Sequence, residues 1–209
     1  CLYHASGRWY ILAVDGRIAG FVAKRFLSGD GLHYEPRWFK PWPADVRDEV
    51  RISGESYPIG DLLFDCGGIR LGFEICEDAW VAARRGGGMA PHGVDVILNP
   101  SASHFAFGKF EVRKRLVLEG SRAFSTSYVY SNLLGNEAGR IIYDGGSLIA
   151  SAARLLAQGE RFSYRPVEVI SAAVDVAATR MKMTQLASYQ PDLISGRSAE
   201  VSCPFDWLD

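Results

Sequence analysis

The chain has 209 residues, of which 48% are hydrophobic and 22% are charged, and its formal net charge is −1. This balance is typical of a globular protein and excludes a mainly disordered chain, a collagen or a coiled coil. A net charge near zero gives no bulk field for nucleic acid or an anionic membrane, so neither is expected as a partner. The sequence has no apolar run of the roughly 18–20 residues that cross a bilayer and no secretory signal pattern, so we expect a cytoplasmic location.

The first half of the sequence predicts short strands separated by a long loop. Apolar residues on both sides of the turn pair Asp15–Gly16 predict a β-hairpin over Trp9–Lys24. Residues 25–60 are rich in glycine, proline and aromatic residues and predict a loop, of a length that is often functional. Apolar runs predict buried strands at Ile69–Ile75 and Val94–Leu98.

The second half mixes helix and strand. Lys109–Phe124 has the apolar periodicity of a helix, and its Arg113–Arg115 run is predicted to form a solvated face. Tyr128–Leu133 and Val167–Val176 predict strands, while Gly139–Ala150 predicts a hairpin that turns at its Asp-Gly-Gly sequence. Together these elements predict a mixed α/β or α+β domain.

The most specific local feature lies where the apolar strand of residues 69–75 ends. Cys76 is predicted at a strand-to-helix junction, and Asp78 is predicted to cap two helical turns that end at Gly86–Gly88. Backbone N–H groups at such a junction stabilise a thiolate, whereas the charges of Glu77 and Asp78 oppose it. Cys76 is therefore either a nucleophile assisted by a cation or a buried, inert cysteine, and Cys66 is predicted to be inert.

Two further clusters carry groups that could act beside the thiol. Lys24 closes an apolar strand and is either a surface lysine or the required cation, and Glu35 could hold it in an ion pair. Ser103 and Lys109 lie in the segment Asn99–Lys109 between a strand and the predicted helix, where the hydroxyl could face a polar ligand and Lys109 could pair with a carboxylate. The alternative is a loop that only caps the helix, which Ser101 or Ser103 could do alone.

Metal and nucleotide sites are not predicted. The four cysteines form no C-x-x-C pair and the four histidines stand apart in sequence, so no metal site is expected. The phosphate-binding patterns G-x-x-x-x-G-K-[ST] and G-x-G-x-x-G are absent. A pair of the thiol-protease type, with His104 or His92 as the base of Cys76, is an alternative that no local pattern supports.

Taken together, the clusters resemble the carbon–nitrogen hydrolase (nitrilase) superfamily and, more narrowly, the glutaminase domain of glutamine-dependent NAD⁺ synthetases. The resemblance runs from about residue 16 to residue 176 and rests on several motifs in the right order. Those motifs are Ala23–Leu27, Tyr34–Phe39, Glu74–Trp80, Ser101–Lys109, Gly135–Glu137 and Tyr143–Ser147.

The resemblance implies a four-layer α-β-β-α sandwich, which this chain is expected to form without its first strands. It also implies a Glu-Lys-Cys catalytic triad, of which Cys76 matches the nucleophile and Lys24 the lysine. Glu35 matches a second carboxylate that positions Lys24 or binds the substrate. Positions expected to bind the substrate are Glu35, Glu77, Trp80, Ser103 and Lys109.

The third triad member implied by the resemblance is a glutamate that precedes the lysine. No glutamate precedes Glu35 in this sequence. The chain is therefore expected to be either a fragment of a longer enzyme or a catalytically inactive module kept for assembly or ligand binding. A stand-alone amidase that acts on another small amide is a further alternative.

The expected domain organisation follows from the same resemblance. Residues 1–180 are expected to form a partial glutaminase domain, and residues 181–209 a linker or docking tail that leads toward a synthetase domain absent from the sequence. Glutamine is the implied substrate, and the implied partners are that synthetase domain and further copies of the chain. No cofactor is implied for the glutaminase step, and ATP and Mg²⁺ are implied only for the synthetase domain.

Overall fold

The computed structural model describes residues 7–137, 140–192 and 200–207. These residues form three β-sheets, two of which pack face to face, with helices along one side. The strands are β1 (Trp9–Val14), β2 (Arg17–Ala23), β3 (Arg47–Ile52), β4 (Glu55–Gly60), β5 (Leu63–Cys66), β6 (Ile69–Phe73), β7 (Val96–Ser101), β8 (Ser127–Asn132), β9 (Leu134–Glu137), β10 (Ile141–Asp144), β11 (Leu148–Ser151), β12 (Arg154–Gln158) and β13 (Glu200–Cys203). The α-helices are α1 (Glu35–Trp38), α2 (Arg85–Met89), α3 (Lys109–Ala123) and α4 (Val176–Gln185), and 3₁₀ turns lie at Cys76–Ala79 and Ala90–His92.

The largest sheet carries the helices and has the strand order β12-β11-β8-β7-β6-β5-β13. Its three central neighbours, β6, β7 and β8, run parallel to one another. The second sheet has the order β1-β2-β4-β3, and β9 and β10 form a separate antiparallel ribbon. Since the three central strands run in one direction, the loops that follow them meet at the same edge of the sheet.

Apolar side chains on both faces of the seven-stranded sheet explain the layers. On one face, Ile97 and Tyr128 are packed with Val117 of α3 in a buried cluster. On the other face, Phe64 and Phe73 are packed against the four-stranded sheet, whose Val22 is fully buried. Burial of apolar area on this scale is the main force that holds the layers together. The mixed α/β class is confirmed, and the described residues supply an α-β-β arrangement, which is three of the four expected layers.

Several predicted elements are confirmed. The hairpin over Trp9–Lys24 is formed by β1 and β2, with both turn residues, Asp15 and Gly16, at positive φ. The predicted strands at residues 69–75, 94–98 and 128–133 correspond to β6, β7 and β8, and the predicted helix corresponds to α3.

Three predicted elements are wrong. Residues 25–60 are not a continuous loop, because they contain α1 and the antiparallel pair β3 and β4. The side chains of β3 are largely exposed, so this strand gives a weak apolar signal. The predicted hairpin over Gly139–Ala150 is replaced by two pairings, since β10 pairs with β9 while β11 pairs with β8 and β12. The predicted strand Val167–Val176 is irregular up to Asp175, where the side chain of Asp175 caps α4 by accepting a hydrogen bond from Ala178 N at 2.8 Å.

The segment beyond residue 180 contacts the sheet. Helix α4 spans the expected boundary at residue 180, and Arg180 pairs with the buried carboxylate of Asp95 at 2.6 Å. Strand β13 pairs in parallel with β5, with Cys203 opposite Cys66. The division into a domain and a tail at residue 180 stays a prediction. Within the described residues, no helix is long and apolar enough to cross a membrane.

Candidate active site

The site lies where the parallel strands β6, β7 and β8 end. The segments that follow β6 and β7 carry Cys76 and Ser103, and β8 ends at Asn132. The amide of Asn132 accepts a hydrogen bond from Ser103 N at 2.8 Å and donates one to Ser103 O at 3.0 Å, so it fixes the second loop. The carboxyl ends of parallel strands are where open α/β sheets bind ligands.

Cys76 is the first residue of a 3₁₀ turn and has a left-handed backbone conformation, with φ = +49°. This region is strained for a residue with a side chain, and such strain concentrates at functional sites. The side chain of Cys76 lines two cavities of about 240 and 210 Å³ and is partly exposed. The turn therefore presents the thiol to space that a small ligand can enter.

Lys24 and Glu35 form an ion pair buried beside this space. Nζ of Lys24 lies 2.5 Å from Oε2 of Glu35, and Lys24 is 1% exposed. The same oxygen accepts a hydrogen bond from Ser28 N at 2.8 Å. Burial lowers the pKa of the Lys24 ammonium, and the charge of Cys76 acts in the opposite direction. Lys24 is thus held in one place by Glu35, near enough to Cys76 for their charges to interact.

Arg8 is a member of the site that the sequence did not reveal. Its Nη1 atom contacts Oε1 of Glu35, so the carboxylate is clamped between two cations. Arg8 also lines the larger cavity together with Tyr10, Cys76 and Tyr143. Nothing local in the sequence separates Arg8 from an ordinary surface arginine, because its partner lies 27 residues away.

Asp78 links the 3₁₀ turn that contains Cys76 to the segment that follows Lys24. Its Oδ1 atom accepts hydrogen bonds from Arg25 N at 3.2 Å and Phe26 N at 2.8 Å, and its Oδ2 atom accepts one from Ile75 N at 3.1 Å. Burial raises the pKa of Asp78 to about 6, against the opposing effect of these bonds and of nearby cations. The side chain therefore fixes the position of Cys76 relative to Lys24.

The helix predicted to follow Asp78 is wrong. The turn at Cys76–Ala79 is 3₁₀, and Gly86–Gly88 lie inside α2 instead of ending a helix. A Cβ atom on Gly86 would lie 2.3 Å from the ring of Phe124, so the absence of a side chain allows close packing there. The backbone N–H of Gly86 donates to the buried carboxylate of Glu74 at 2.6 Å.

The remaining predicted site residues surround the smaller cavity. Glu77, Trp80, Ser103 and Lys109 line it together with Cys76. Nζ of Lys109 lies 6.0 Å from the centroid of the Trp80 ring. Burial, followed by the charge of Arg113, lowers the pKa of Lys109. The structure thus brings all four residues to the thiol, and their roles in substrate binding stay predictions.

Arg113 holds the loop that carries Ser103, so its predicted place on a solvated face is wrong. The Arg113 side chain is fully buried and donates to Ser103 O at 2.8 Å and His104 O at 2.7 Å. It also pairs with the buried Asp144 at 2.8 Å, while Arg161 pairs with the other oxygen of Asp144 at 2.9 Å. A buried charge must be paired in this way to be tolerated.

Two of the four histidines meet, although the sequence predicted that they stand apart. Nε2 of His33 lies 3.3 Å from Nδ1 of His104, 71 residues away. His104 lines the same cavity as Cys76, and burial and the charge of Lys109 lower its pKa. His92 lies elsewhere, 3.8 Å from Asp192. His4 and Cys1 lie outside the described residues.

Comparison with known proteins identifies the family. The chain is 36% identical over 179 residues to a Schizosaccharomyces pombe protein and 32% identical to a Saccharomyces cerevisiae protein, both assigned as glutamine-dependent NAD(+) synthetases. Each match covers 81% of this chain and about a quarter (26% and 25%) of the relative. The chain therefore spans only about a quarter of the length of these relatives. No family model matches the chain.

Solved structures give the same result for the fold. A glutamine-dependent NAD(+) synthetase from Cytophaga hutchinsonii superposes with a TM-score of 0.66 at 39% identity, covering 78% of this chain and 29% of that one. A carbon–nitrogen hydrolase from Helicobacter pylori superposes with a TM-score of 0.63 at 20% identity, covering 80% of this chain and 56% of that one, which shows a shared fold. The nitrilase-type fold is thereby confirmed. The chain belongs to the family of glutamine-dependent NAD(+) synthetases.

Proposed function

We propose that this chain is a glutamine amidohydrolase module that releases ammonia from glutamine through a thioester on Cys76. The observation that carries the proposal is the position of Cys76, which is held in a left-handed conformation by the turn after β6 and lines the same cavity as Glu35. The buried Lys24, whose charge interacts with that of Cys76, adds a cation that stabilises a thiolate. Family membership supplies the substrate, because the relatives are named as glutamine-dependent.

The chemistry begins with attack of the Cys76 sulfur on the side-chain carboxamide carbon of glutamine. A C–S bond forms, the carbonyl π electrons move to oxygen, and a tetrahedral oxyanion results. Collapse of this intermediate breaks the C–N bond, and the nitrogen takes up a proton and leaves as ammonia. Water then attacks the thioester, which releases glutamate and restores the thiol.

Lys24 and a backbone donor stabilise the oxyanion in this proposal. The ammonium of Lys24 is held by Glu35, and the N–H of Glu77 follows the nucleophile directly in the 3₁₀ turn. Such preorganised donors typically contribute roughly 3–4 kcal/mol each to the transition state. The contacts of Glu35 with Lys24, Ser28 N and Arg8 support a role in positioning the lysine over direct substrate binding.

The polar groups around the smaller cavity would recognise the amino-acid end of glutamine. Lys109 offers an ammonium group to the α-carboxylate, and Glu77 offers a carboxylate to the α-amino group. Trp80 supplies an apolar wall beside Lys109. The Ser103 hydroxyl accepts a hydrogen bond from Arg113 Nε at 3.3 Å, which holds it at the cavity edge.

Proton transfer to the leaving ammonia requires a further acid. Glu35 is a poor choice, because both of its carboxylate oxygens are already engaged by Arg8 and Lys24. We propose that the acid/base glutamate of the family triad belongs to a longer protein, since the match covers only about a quarter (26% and 25%) of the relatives. There we also place the synthetase domain, which uses ATP and Mg²⁺ to amidate nicotinic acid adenine dinucleotide with the released ammonia.

The test is glutamine hydrolysis by the complete natural protein that contains this chain. We expect glutamate and ammonia in equal amounts, complete loss of both with Cys76→Ala, and retained activity with Cys66→Ala, a control at another cysteine. Turnover that persists in Cys76→Ala would contradict the nucleophile assignment. Faster hydrolysis of acetamide or propionamide than of glutamine would favour a stand-alone amidase, and inactivity toward every amide would favour a binding module.

A further inference from the structure

A cluster of three potential metal ligands lines the smaller cavity. Asp30 and His33 belong to the loop after β2, and His104 belongs to the loop after β7. One ligand atom from each of the three side chains lies within 4.8 Å of the other two. The function proposed above makes no use of this cluster.

We propose that Asp30, His33 and His104 form a binding site for a divalent transition-metal ion of the zinc type. The two facing nitrogens, Nε2 of His33 and Nδ1 of His104, are 3.3 Å apart. In a tetrahedral zinc site with Zn–N bonds of 2.0–2.1 Å, two ligand nitrogens are separated by about 3.3–3.4 Å. Both rings can therefore bind one ion with little movement.

The third ligand is held in place beside the rings. Oδ1 of Asp30 accepts hydrogen bonds from Leu32 N at 3.0 Å and His33 N at 2.9 Å. Imidazole nitrogen and carboxylate oxygen are both common zinc ligands, and three protein ligands leave a fourth position open. Asp30, His33, His104 and Cys76 all line the smaller cavity, so an ion at this cluster would share that cavity with the thiol.

Lys109 opposes the ion and gives the proposal a distinctive test. Its ammonium group lies 3.1 Å from Nε2 and 3.3 Å from Nδ1 of His104. A positive charge at this distance disfavours a second cation. Substitution of Lys109 by methionine is therefore expected to strengthen metal binding, whereas loss of either histidine weakens it.

Metal binding itself does not depend on the proposed function, so it is measured directly. Zn²⁺ is titrated calorimetrically into the protein with the Cys76→Ala change, which removes the thiol as a competing ligand. We expect one ion per chain, at least about tenfold weaker binding with His33→Gln or His104→Gln, and tighter binding with Lys109→Met. His92→Gln is the matched control, since His92 also lies beside an aspartate, and it should leave the affinity unchanged.

A second readout tests the position of the ion relative to the thiol. Zn²⁺ should slow alkylation of Cys76 by iodoacetamide in the unmodified protein and should lose this effect in His33→Gln. Unchanged affinity in both His33→Gln and His104→Gln, or an equal loss in His92→Gln, would overturn the site. Protection that persists in His33→Gln would place the ion on the thiol itself and would also overturn the proposal. Melting temperatures confirm that each variant is folded.

Discussion

The buried ammonium of Lys24 lies 2.5 Å from the carboxylate of Glu35, and the two residues are 11 positions apart in the sequence. This pair defines the electrostatics of the site, because Glu35 fixes the lysine where it interacts with Cys76. Arg8 contacts the other oxygen of the same carboxylate, so the local charge is one anion between two cations. The carboxylates of Glu77 and Asp78 lie near the same groups, so Lys24 is the cation that offsets them beside the thiol and that can stabilise a developing oxyanion.

The first prediction concerns Lys24 in the complete protein. Lys24→Met removes the ammonium that stabilises the oxyanion and should lower kcat by about 10²–10³-fold with little change in KM. Steady-state glutaminase kinetics measure both constants. Lys40→Met, at an exposed lysine, should leave both unchanged, and a defect of Lys24→Met confined to KM would count against the oxyanion role.

The second prediction concerns the buried carboxyl of Asp78. Its pKa is raised by burial to about 6 in the folded state, above its ordinary value of 3.8, so folding takes up a proton between about pH 4 and pH 6. Acidification through this window therefore stabilises the fold, and ionisation at higher pH opposes it. Between pH 7 and pH 5, the free energy of unfolding should rise by about 1 kcal/mol more in the wild type than in Asp78→Asn.

Denaturant unfolding at the two pH values measures this difference. Parallel pH dependence in the two proteins would contradict the raised pKa. The same variant tests the positioning role of Asp78, because the amide nitrogen of asparagine cannot accept the hydrogen bond of Ile75 N. In Asp78→Asn, the amide oxygen can still accept the hydrogen bonds of Arg25 N and Phe26 N, but the bond from Ile75 N is lost. We expect this loss to lower kcat and leave KM unchanged.

The third prediction concerns the buried arginine of α3. Arg113→Met leaves Asp144 buried with Arg161 as its remaining cation and frees the carbonyl groups of Ser103 and His104. Loss of one partner of a buried pair should destabilise the protein by about 3 kcal/mol. Arg115→Met, at an exposed position two residues away, should change the unfolding free energy by less than about 0.5 kcal/mol. Equal effects of the two changes would contradict the buried network.

Local sequence patterns predicted helix α3 but not the burial of its arginine. The apolar periodicity of Lys109–Phe124 correctly predicted α3, but it could not show that Arg113 points into the core. The reason is that its partner, Asp144, lies 31 residues away and becomes a neighbour only when the sheet forms. Charge runs indicate a solvated face only on average, and one buried ion pair is enough to break that rule.

The candidate site shows the same limit. Cys76, Lys24 and Glu35 were predictable from motifs in a fixed order, and the structure brings them to one place. Arg8 and the pair of His33 with His104 were not predictable, because they depend on contacts between segments 27 and 71 residues apart. Strands β3 and β4 were missed for another reason, since β3 has no buried side chain and neither strand alternates regularly between buried and exposed residues.

The fourth prediction separates the cysteines by reactivity. Burial raises the pKa of the Cys66 thiol to about 12, so almost none of it is thiolate at pH 8. Cys76 lines a cavity that reagents can enter. Iodoacetamide at pH 8 should therefore label Cys76 in the folded protein and label Cys66 only after denaturation, as peptide mass spectrometry would show. Equal labelling rates in the folded state would contradict this assignment.

Covalent capture of the nucleophile tests directly whether Cys76 belongs to a glutamine site. A glutamine analogue with a chloromethyl ketone in place of the side-chain amide is incubated with the protein, and the intact mass and modified peptide are determined. We expect one adduct per chain on Cys76, slowed by L-glutamine and lost in Cys76→Ala. An adduct on Cys66 or Cys203, or labelling of Cys76 that glutamine does not slow, would contradict the assignment of Cys76 as the nucleophile of a glutamine site.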